Sequence, residues 1–316
     1  MKQYAFGADI GGTTVKIGLF ETKGTLMEVW EIPTRKEENG KYILSDIVEE
    51  IRKKMREREI PQSSVEGIGM GVPGPVSTDG IVLKCVNLGW GIVHVEQEMT
   101  RLTGLKVKAG NDANVAALGE MWQGGGSGYK NIVMVTLGTG VGGGIILNGR
   151  ILAGADGAAG EIGHISMRDD EEECCGCGKK GCLEQYASAS GIVRMTERYL
   201  KQNPQISSTL RAMKNFTSKE IFEEAGKGDT AAGNMADEAG KMLGKALAAV
   251  ACVVNPEAFV IGGGMSKAGE FLLDMIRKYY KKYAFHAAGN TAFKLAVLGN
   301  NAGIFGAVKL VLESEK

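Results

Sequence analysis

The pattern of an apolar strand, a Gly/Thr-rich turn and a second apolar strand occurs twice in this chain. It spans Tyr4–Phe20 and starts again near residue 131, in NIVMVTLGTGVGGGIILNG. Gly-rich hairpins are common in α/β proteins, so coincidence stays open on this similarity alone. Two copies roughly 120 residues apart nevertheless favour two related domains that face each other across a cleft.

Length and composition fit a globular protein with more than one domain. The 316 residues exceed what one compact core usually organises. The chain has 44% hydrophobic and 23% charged residues, which excludes a disordered or fibrous protein. Basic and acidic residues are equal at 37 each, so net charge attracts neither DNA nor an anionic membrane. We therefore expect neither a nucleic-acid nor a membrane partner.

The N-terminus and the cysteines indicate a reducing compartment. The segment MKQYAFGADIGG reaches glycines without the apolar core of a signal peptide, so we expect a cytoplasmic protein. Four of the six cysteines fall between Cys174 and Cys182. In the cytoplasm such a cluster indicates a metal site rather than disulfides.

Helices and strands alternate along the rest of the chain. Apolar residues at helical spacing predict a surface helix from Leu44 to Arg58. Strands are predicted at VEGIGMGV, near Lys106–Ala109 and at EAFVIGG, and further helices at residues 113–122, 234–254 and 303–315. This order indicates an α/β protein.

The first Gly/Thr turn has the composition of a phosphate-binding loop. Glycines let backbone N–H groups approach phosphate oxygens, and threonine hydroxyls donate further hydrogen bonds. The GxxxxGK[ST] order is absent, so this is not a Walker loop, and a hairpin capped by Asp9 is the alternative. Asp9 could hold Mg²⁺ through water, whereas Lys16 is expected to point to solvent. The candidate ATP-binding residues here are Asp9, Gly11, Gly12, Thr13, Thr14 and Lys16.

Two later glycine runs complete the candidate nucleotide site. The second Gly/Thr turn can supply the same backbone donors from the opposite side of the expected cleft. The glycines after the strand AFVI would let an adenine ring lie flat against the backbone. The residues concerned are Gly138, Thr139 and Gly140 in the second turn, and Gly262, Gly263 and Gly264 after the strand.

The segment GNDAN lies between a predicted strand and a predicted helix. A carboxylate here suits a base that takes a proton from a substrate hydroxyl during phosphoryl transfer, so Asp112 is the candidate catalytic residue. Asn111 could fix a neighbouring hydroxyl. Simple N-capping of the helix by Asp112 is the alternative, and the residues alone do not decide between them.

The segments GEIGH and CGCGKKGCLE have the spacing of a zinc site. Three thiolates and one imidazole complete a tetrahedral shell, which makes such a zinc structural rather than catalytic. A reactive or merely exposed cysteine cluster is the less favoured alternative. Glu161 and Glu184 flank the ligands, where their carboxylates could bind sugar hydroxyls.

The order of these motifs resembles that of the ROK family (repressors, open reading frames and sugar kinases). CGCGKKGCLE matches the family signature C-x-C-G-x-x-G-C-x-E. DIGGTTVK, GVPGPV, GNDANVAALGEMW, LGTGVGGG, GEIGH and IGGGMS follow in the family's order along the whole chain. Within the family the chain is most similar to the bacterial glucokinases.

The resemblance implies an actin-like, ribonuclease-H-like α/β fold, with two domains around a cleft, and a homodimer. We expect a smaller N-terminal domain of residues 1–115 plus 303–316, and a larger C-terminal domain of residues 116–302 with the zinc-binding loop. The implied reaction transfers the γ-phosphate of ATP, with Mg²⁺, to the 6-hydroxyl of glucose.

Roles for individual residues follow from the resemblance by position. Asp112 matches the catalytic base, and Gly74 lines the sugar pocket through its backbone. Asn87, in VNLGWG, lies where the family's sugar-proximal loop runs. The implied hexose-binding residues are Gly74, Asn87, Asn111, Asp112, Glu161, His164 and Glu184. The implied ligands of a structural Zn²⁺ are His164, Cys175, Cys177 and Cys182, with Cys174 as a spare thiol.

Three alternative functions stay open at this point. ROK repressors keep the sugar and zinc residues, but they carry an N-terminal helix-turn-helix domain, for which a first strand starting at about residue 3 leaves no room. Another hexose, such as fructose, mannose, N-acetylglucosamine or N-acetylmannosamine, would require only a change in pocket geometry. Polyphosphate could also replace ATP as the donor.

Overall fold

The computed structural model of the protein describes residues 2–313. Residue 1 and residues 314–316, which belong to the expected first domain and its last helix, lie outside the described residues. The strands are β1 Tyr4–Ile10, β2 Thr14–Glu21, β3 Leu26–Pro33, β4 Val65–Val72, β5 Ile81–Val82, β6 Val93–His94, β7 Val107–Asn111, β8 Ile132–Leu137, β9 Val141–Leu147, β10 Arg150–Ile151, β11 Ala258–Gly262 and β12 Ala292–Leu295. The helices are α1 Glu37–Gly40, α2 Ile43–Glu57, α3 Val95–Thr103, α4 Asp112–Gln123, α5 Glu184–Ala187, α6 Ala189–Gln202, α7 Ser218–Gly226, α8 Thr230–Val254, α9 Glu270–Tyr283 and α10 Ala302–Glu313.

The first sheet has the strand order β3-β2-β1-β4-β7. β1 pairs antiparallel with β2, which confirms the predicted N-terminal hairpin, and β4 and β7 continue the sheet in parallel. β3 alternates between exposed and half-buried residues, as expected for an edge strand with one solvated face. β4 is almost wholly buried, because it lies between β1 and β7 and is covered by α10.

The second sheet has the order β10-β9-β8-β11-β12. β8 and β9 are neighbours joined by the second Gly/Thr turn, so the second predicted hairpin is also confirmed. β11, whose five residues are all buried, pairs in parallel with β12. Both copies of the repeat therefore stand at corresponding places, as a hairpin within a mixed sheet.

Glycines on β1 and β4 let helix α10 lie directly on the backbone of the first sheet. A Cβ atom added at Gly7 would lie 2.3 Å from the carbonyl oxygen of Ile304, and one at Gly69 would lie 1.6 Å from that of Ala307. Atoms cannot approach so closely, so this helix position requires residues without a side chain. Gly306 likewise lets α10 pack closely against α4, because a Cβ atom there would lie 1.6 Å from the carbonyl oxygen of Val115.

The chain divides into two compact units. The first comprises the chain up to Ile132, Gly144–Gly160 and the segment from Val297 onward, and the second comprises Val133–Gly143 and Glu161–Ala296. Residues 116–132, 144–160 and 297–302, which the sequence-based division placed in the larger C-terminal domain, pack with the first unit. Helix α4 packs against α10, which lies on the first sheet, and it also contacts β10, so these segments are tied to the first unit.

Helix α8 is the central helix of the second unit. Its 25 residues are rich in alanine, and its buried face contacts α6, α7 and α9. Gly240 and Gly244 let α9 approach closely, near Met275 and Tyr279. Within the part of the chain that the structure describes, neither α8 nor another helix is long and apolar enough to cross a membrane.

Candidate functional site

Asp9 lies near the end of β1, opposite Lys16 of β2 and Gly71 of β4. Residues that stand directly opposite each other share one face of a sheet, so the carboxylate has a cation on one side and a glycine on the other. A Cβ atom added at Gly71 would lie 3.1 Å from Oδ1 of Asp9 and 3.7 Å from the Cα of Asp112. Asp9 and Asp112 therefore both lie beside Gly71.

The environment of Asp9 changes its proton affinity. Burial raises the pKa of Asp9 to about 6, the negative charge of Asp112 acts in the same direction, and Lys16 opposes both. The Nζ of Lys16 lies 3.2 Å from a carboxylate oxygen of Glu31 and 3.4 Å from Oδ1 of Asn301. The expectation that Lys16 points to solvent is wrong, because these two partners keep its side chain only 19% exposed.

Helix α4 begins at Asp112, and the preceding residue caps it. Oδ1 of Asn111 accepts the N–H of Asn114 at 3.1 Å, which is the geometry of an N-cap. The capping alternative considered for Asp112 thus applies to Asn111. Oδ1 of Asp112 accepts the N–H of Ala113 at 2.8 Å and Nδ2 of Asn111 at 3.0 Å. These bonds hold the carboxylate at the positive end of α4.

Gly74 and Asn87, two further predicted sugar-binding residues, lie in loops of the first unit. Nδ2 of Asn111 donates to the carbonyl oxygen of Gly74 at 3.1 Å, so these two predicted residues are in contact. Gly74 has φ +95°, and a Cβ atom there would lie 2.6 Å from the carbonyl oxygen of Lys84, which explains the glycine. Asn87 is exposed in a short turn, Val86–Leu88, between β5 and β6.

The first Gly/Thr turn is closed by backbone hydrogen bonds and leaves one side open. The N–H of Gly11 donates to the carbonyl oxygen of Thr14 at 2.9 Å, and the hydroxyl of Thr34 donates to that of Gly11 at 2.8 Å. Thr13 and Thr14 are exposed, and a Cβ atom added at Gly12 would meet nothing within 4 Å. The turn therefore offers accessible groups, as a phosphate-binding loop requires.

The second Gly/Thr turn, in the second unit, contacts the start of helix α6. The N–H of Ala189 donates to the carbonyl oxygen of Gly138 at 2.8 Å, and the hydroxyl of Ser190 donates to that of Thr139. A Cβ atom at Gly140 would lie 2.6 Å from Oε2 of Glu184. The predicted turn and one predicted sugar-binding carboxylate are therefore neighbours.

The glycine run after β11 has a packing role as well as an open surface. Gly263 has φ +83°, and a Cβ atom there would lie 2.4 Å from the carbonyl oxygen of Leu137 at the end of β8. Close packing of two strand ends thus accounts for Gly263. A Cβ atom at Gly264 would meet nothing within 4 Å, so the surface near it is open to a flat ligand.

The predicted metal ligands come together in the second unit. The candidate ligand atoms of His164, Cys175, Cys177 and Cys182 all lie within 4.8 Å of one another. A tetrahedral zinc ion with usual bond lengths places its ligand atoms about 3.5 to 3.8 Å apart. Sγ of Cys177 lies 3.6 Å from Sγ of Cys182, and Sγ of Cys175 lies 3.7 Å from Nδ1 of His164. These residues therefore fit zinc, while Cys174 is exposed and outside the group.

The thiols of this group differ in proton affinity. Burial raises the pKa of Cys175 to about 12 and raises that of Cys182 as well, whereas a hydrogen bond from the N–H of Lys179 lowers that of Cys177. Metals bind the thiolate, so a metal ion would have to displace protons from the two buried thiols.

Both predicted carboxylates of the second unit lie beside this group. Oε1 of Glu184 accepts the thiol of Cys175 at 2.8 Å and lies 3.8 Å from Nδ1 of His164. Oε2 of Glu161 lies 3.9 Å from Nε2 of the same imidazole. With Nδ1 turned to the cysteines, the other ring nitrogen faces Glu161. One imidazole can thus bind a metal on one side and a hydroxyl on the other.

Sequence reasoning missed Gln185 and Glu171, which anchor the segment that carries Cys175, Cys177 and Cys182, called the cysteine loop below. The buried Gln185 accepts the N–H of Cys182 at 3.1 Å and donates to the carbonyl oxygen of Glu173 at 3.0 Å. Glu171 accepts the N–H of Glu173 at 3.1 Å and the hydroxyl of Tyr186 at 2.9 Å. Although burial acts to raise it, these hydrogen bonds and the charge of Arg198 lower the pKa of Glu171 to about 2. Glu171 lies in an acidic run, residues 169–173, and nothing in the sequence indicates which of these carboxylates is buried.

Comparisons with known proteins find relatives that match nearly the whole chain. The model of the ROK family matches residues 5–314. A glucokinase from Halalkalibacterium halodurans is 42% identical over 98% of this chain and 95% of that protein. A solved structure of a ROK family glucokinase from Streptomyces griseus, in complex with glucose and AMPPNP, is 33% identical with a TM-score of 0.73, covering 97% of this chain and 98% of that chain.

A second solved structure supports the same fold. A ROK hexokinase from Thermus thermophilus is 29% identical with a TM-score of 0.79, and each chain is covered to 99%. These ROK sugar kinases have the actin-like ATPase fold, as predicted from the sequence, and this chain shares it. With a family match over nearly its whole length and a relative at 42% identity, the chain belongs to the ROK family.

Proposed function

We propose that this protein is a glucokinase, which transfers the γ-phosphate of ATP to the 6-hydroxyl of glucose and releases ADP. One observation carries the proposal: in a chain 42% identical to a glucokinase over nearly its full length, Asp112 is held by two hydrogen bonds at the start of α4, beside Asn111. A fixed carboxylate suits a general base in phosphoryl transfer. The Streptomyces griseus relative, with glucose and AMPPNP bound, supports both substrates.

Asp112 accepts the proton of the 6-hydroxyl as this oxygen attacks the γ-phosphorus. Asn111 accepts the neighbouring hydroxyl through Oδ1, because both N–H groups of its Nδ2 already donate to Asp112 and to the carbonyl oxygen of Gly74. Glu161, His164 and Glu184 of the second unit bind the remaining hydroxyls through charge-assisted hydrogen bonds. Asn87 is the least supported member of this set, because it lies exposed in its turn.

The nucleotide is bound by the two Gly/Thr turns and the glycine run after β11. Backbone N–H groups and the exposed Thr13 and Thr14 donate to phosphate oxygens, and Gly264 leaves room for the adenine ring. Asp9 offers carboxylate oxygens, the ligands that Mg²⁺ prefers, and would hold the ion through water. When bound, Mg²⁺ neutralises charge on the phosphates.

The metal in the cysteine group is a structural zinc. Four protein ligands complete its shell, so its contribution is to hold the loop that carries Glu184 and the imidazole of His164. From the family resemblance we also expect a homodimer, and from the N-terminal segment and the cysteines a cytoplasmic location.

The test is ADP release with ATP and Mg²⁺ over a panel of glucose, mannose, fructose, N-acetylglucosamine and N-acetylmannosamine, each against a blank without sugar. Strong release with glucose alone supports the proposal. Preference for another sugar would keep the mechanism and change the substrate. Absence of release across the panel would refute an ATP-dependent kinase, and a repeat with polyphosphate would identify a different donor.

A further inference from the structure

The carboxylate of Asp9 is enclosed by two glycines. A Cβ atom added at Gly303, the second residue of α10, would lie 2.2 Å from Oδ2 of Asp9 and 2.4 Å from its Cγ. On the other side, a Cβ atom added at Gly71 would lie 3.1 Å from Oδ1. A methyl group at Gly303 therefore cannot be accommodated while Asp9 stays in place.

Helix α10 cannot move away to make room for such a methyl group. The carbonyl oxygens of Ile304 and Ala307 already rest on Gly7 of β1 and Gly69 of β4. This backbone contact ties the first turns of α10 to the same two strands that carry Asp9 and Gly71. A methyl group added at Gly303 would therefore displace the side chain of Asp9, which can rotate about its χ angles.

The directions in which Asp9 could turn are also restricted. Towards Gly71 it approaches Asp112, whose Cα lies 3.7 Å from the point where a Cβ of Gly71 would stand. On the opposite side stands Lys16, whose ammonium group is held by Glu31 and Asn301. Any displacement of the Asp9 carboxylate thus alters its distance from Asp112, from Lys16 or from both.

We propose that Gly303 is a positioning residue for phosphoryl transfer: its missing side chain sets where the carboxylate of Asp9 stands relative to Asp112. The inference rests on the proposed function, in which Asp9 and Asp112 face the transferring phosphate. It assigns to the start of α10, distant in sequence from every motif discussed above, a direct influence on the reaction.

A mutant cycle tests the inference. Gly303→Ala should lower kcat by roughly 10-fold or more, in line with the cost of misplacing a reacting group, while the KM for glucose changes little. It should also lower the thermal midpoint. Asp9→Ala removes the two atoms nearest to the new methyl group and leaves only the Cβ atom, at 3.0 Å, so adding Gly303→Ala to Asp9→Ala should lower the thermal midpoint much less than it does in wild type.

Gly306→Ala is the matched control, because it adds the same methyl group to the same helix. Its Cβ atom would lie 1.6 Å from the carbonyl oxygen of Val115 and does not meet Asp9. Its loss of thermal midpoint should therefore be the same with Asp9 present or replaced by Ala. Non-additivity confined to the pair Asp9 and Gly303 supports a specific contact rather than general damage to α10.

The outcomes separate this inference from the proposed function. A wild-type kcat in Gly303→Ala, together with an inactive Asp9→Ala, would overturn the positioning role alone. Equal losses from Gly303→Ala in the presence and absence of the Asp9 carboxylate would overturn it as well. Full turnover by Asp9→Ala would instead refute the role of Asp9 in the reaction, and the positioning role with it.

Discussion

The side-chain amide of Asn111 joins the N-cap of α4 to Asp112. Its Oδ1 accepts the N–H of Asn114 at 3.1 Å, while its Nδ2 donates to Oδ1 of Asp112 at 3.0 Å. The same Nδ2 also donates to the carbonyl oxygen of Gly74. One residue therefore stabilises the helix, orients the proposed base and fixes the loop of the proposed sugar pocket.

Asn111→Ala removes all three interactions. We expect a loss of about 1 kcal/mol in the free energy of unfolding, as for other lost N-caps, together with a large fall in turnover. Asn111→Ser is the matched control, because its hydroxyl keeps an acceptor for the N–H of Asn114 without adding charge but lacks the amide that reaches Gly74 and Asp112. Its stability should lie closer to wild type while turnover stays low. Urea unfolding measures stability, and ADP release measures turnover. If the control recovered both to the same extent, separate roles in capping α4 and in orienting Asp112 would be contradicted.

Cys177→Ser removes one of the four proposed zinc ligands. We expect loss of the bound zinc and a less ordered cysteine loop, because metal binding and local folding are coupled. Cys174→Ser changes the exposed neighbouring thiol and should keep about one zinc per chain, as the four-ligand shell predicts. Metal analysis of both purified variants decides the assignment. Zinc retained in full by Cys177→Ser, or lost from Cys174→Ser, would contradict it.

Glu171→Gln tests the buried anchor of the cysteine loop through its pH dependence. The pKa of Glu171 falls from its ordinary value of 4.5 to about 2 in the folded chain. Its stabilisation is therefore fully present above about pH 4.5 and is lost as the pH falls towards about 2. The variant should be less stable than wild type at pH 7, and the difference should shrink through that window.

Urea unfolding at a series of pH values measures this difference. Glu172→Gln is the control, because Glu172 is the exposed neighbour and its replacement should change stability little at any pH. A destabilisation by Glu171→Gln that persists unchanged at the acid end of the series would show that the charge of Glu171 is not what stabilises the loop.

Local patterns in the sequence predicted the hairpins, several helices and the metal cluster. The two apolar runs on either side of the Gly/Thr turn predicted β1 and β2 to within one residue, and the spacing of Cys175, Cys177 and Cys182 predicted the cluster. The helix predicted at residues 234–254 begins earlier, at Thr230, because Asp229 caps it there. Such boundaries depend on a single capping hydrogen bond.

Contacts between distant segments were not predictable from one sequence. Lys16 was expected in solvent because a returning strand usually has one exposed face, and Asn301 from the other end of the chain covers it. The meeting of Gly303 with Asp9 has the same origin, since it depends on how closely α10 packs on the sheet. Periodicity records which face is buried, but it does not record the distance to the element that covers it.

Glucose-dependent ADP release by the wild-type chain, measured beside Asp112→Asn, tests the account most directly. We predict clear release above the blank without sugar for wild type and a turnover about 10²-fold lower for the variant, because the substitution removes the base without changing its shape. Glucose binding, measured by calorimetry, should be largely kept. No glucose-dependent release by wild type would contradict the kinase, and near-normal turnover by Asp112→Asn would contradict the role of Asp112.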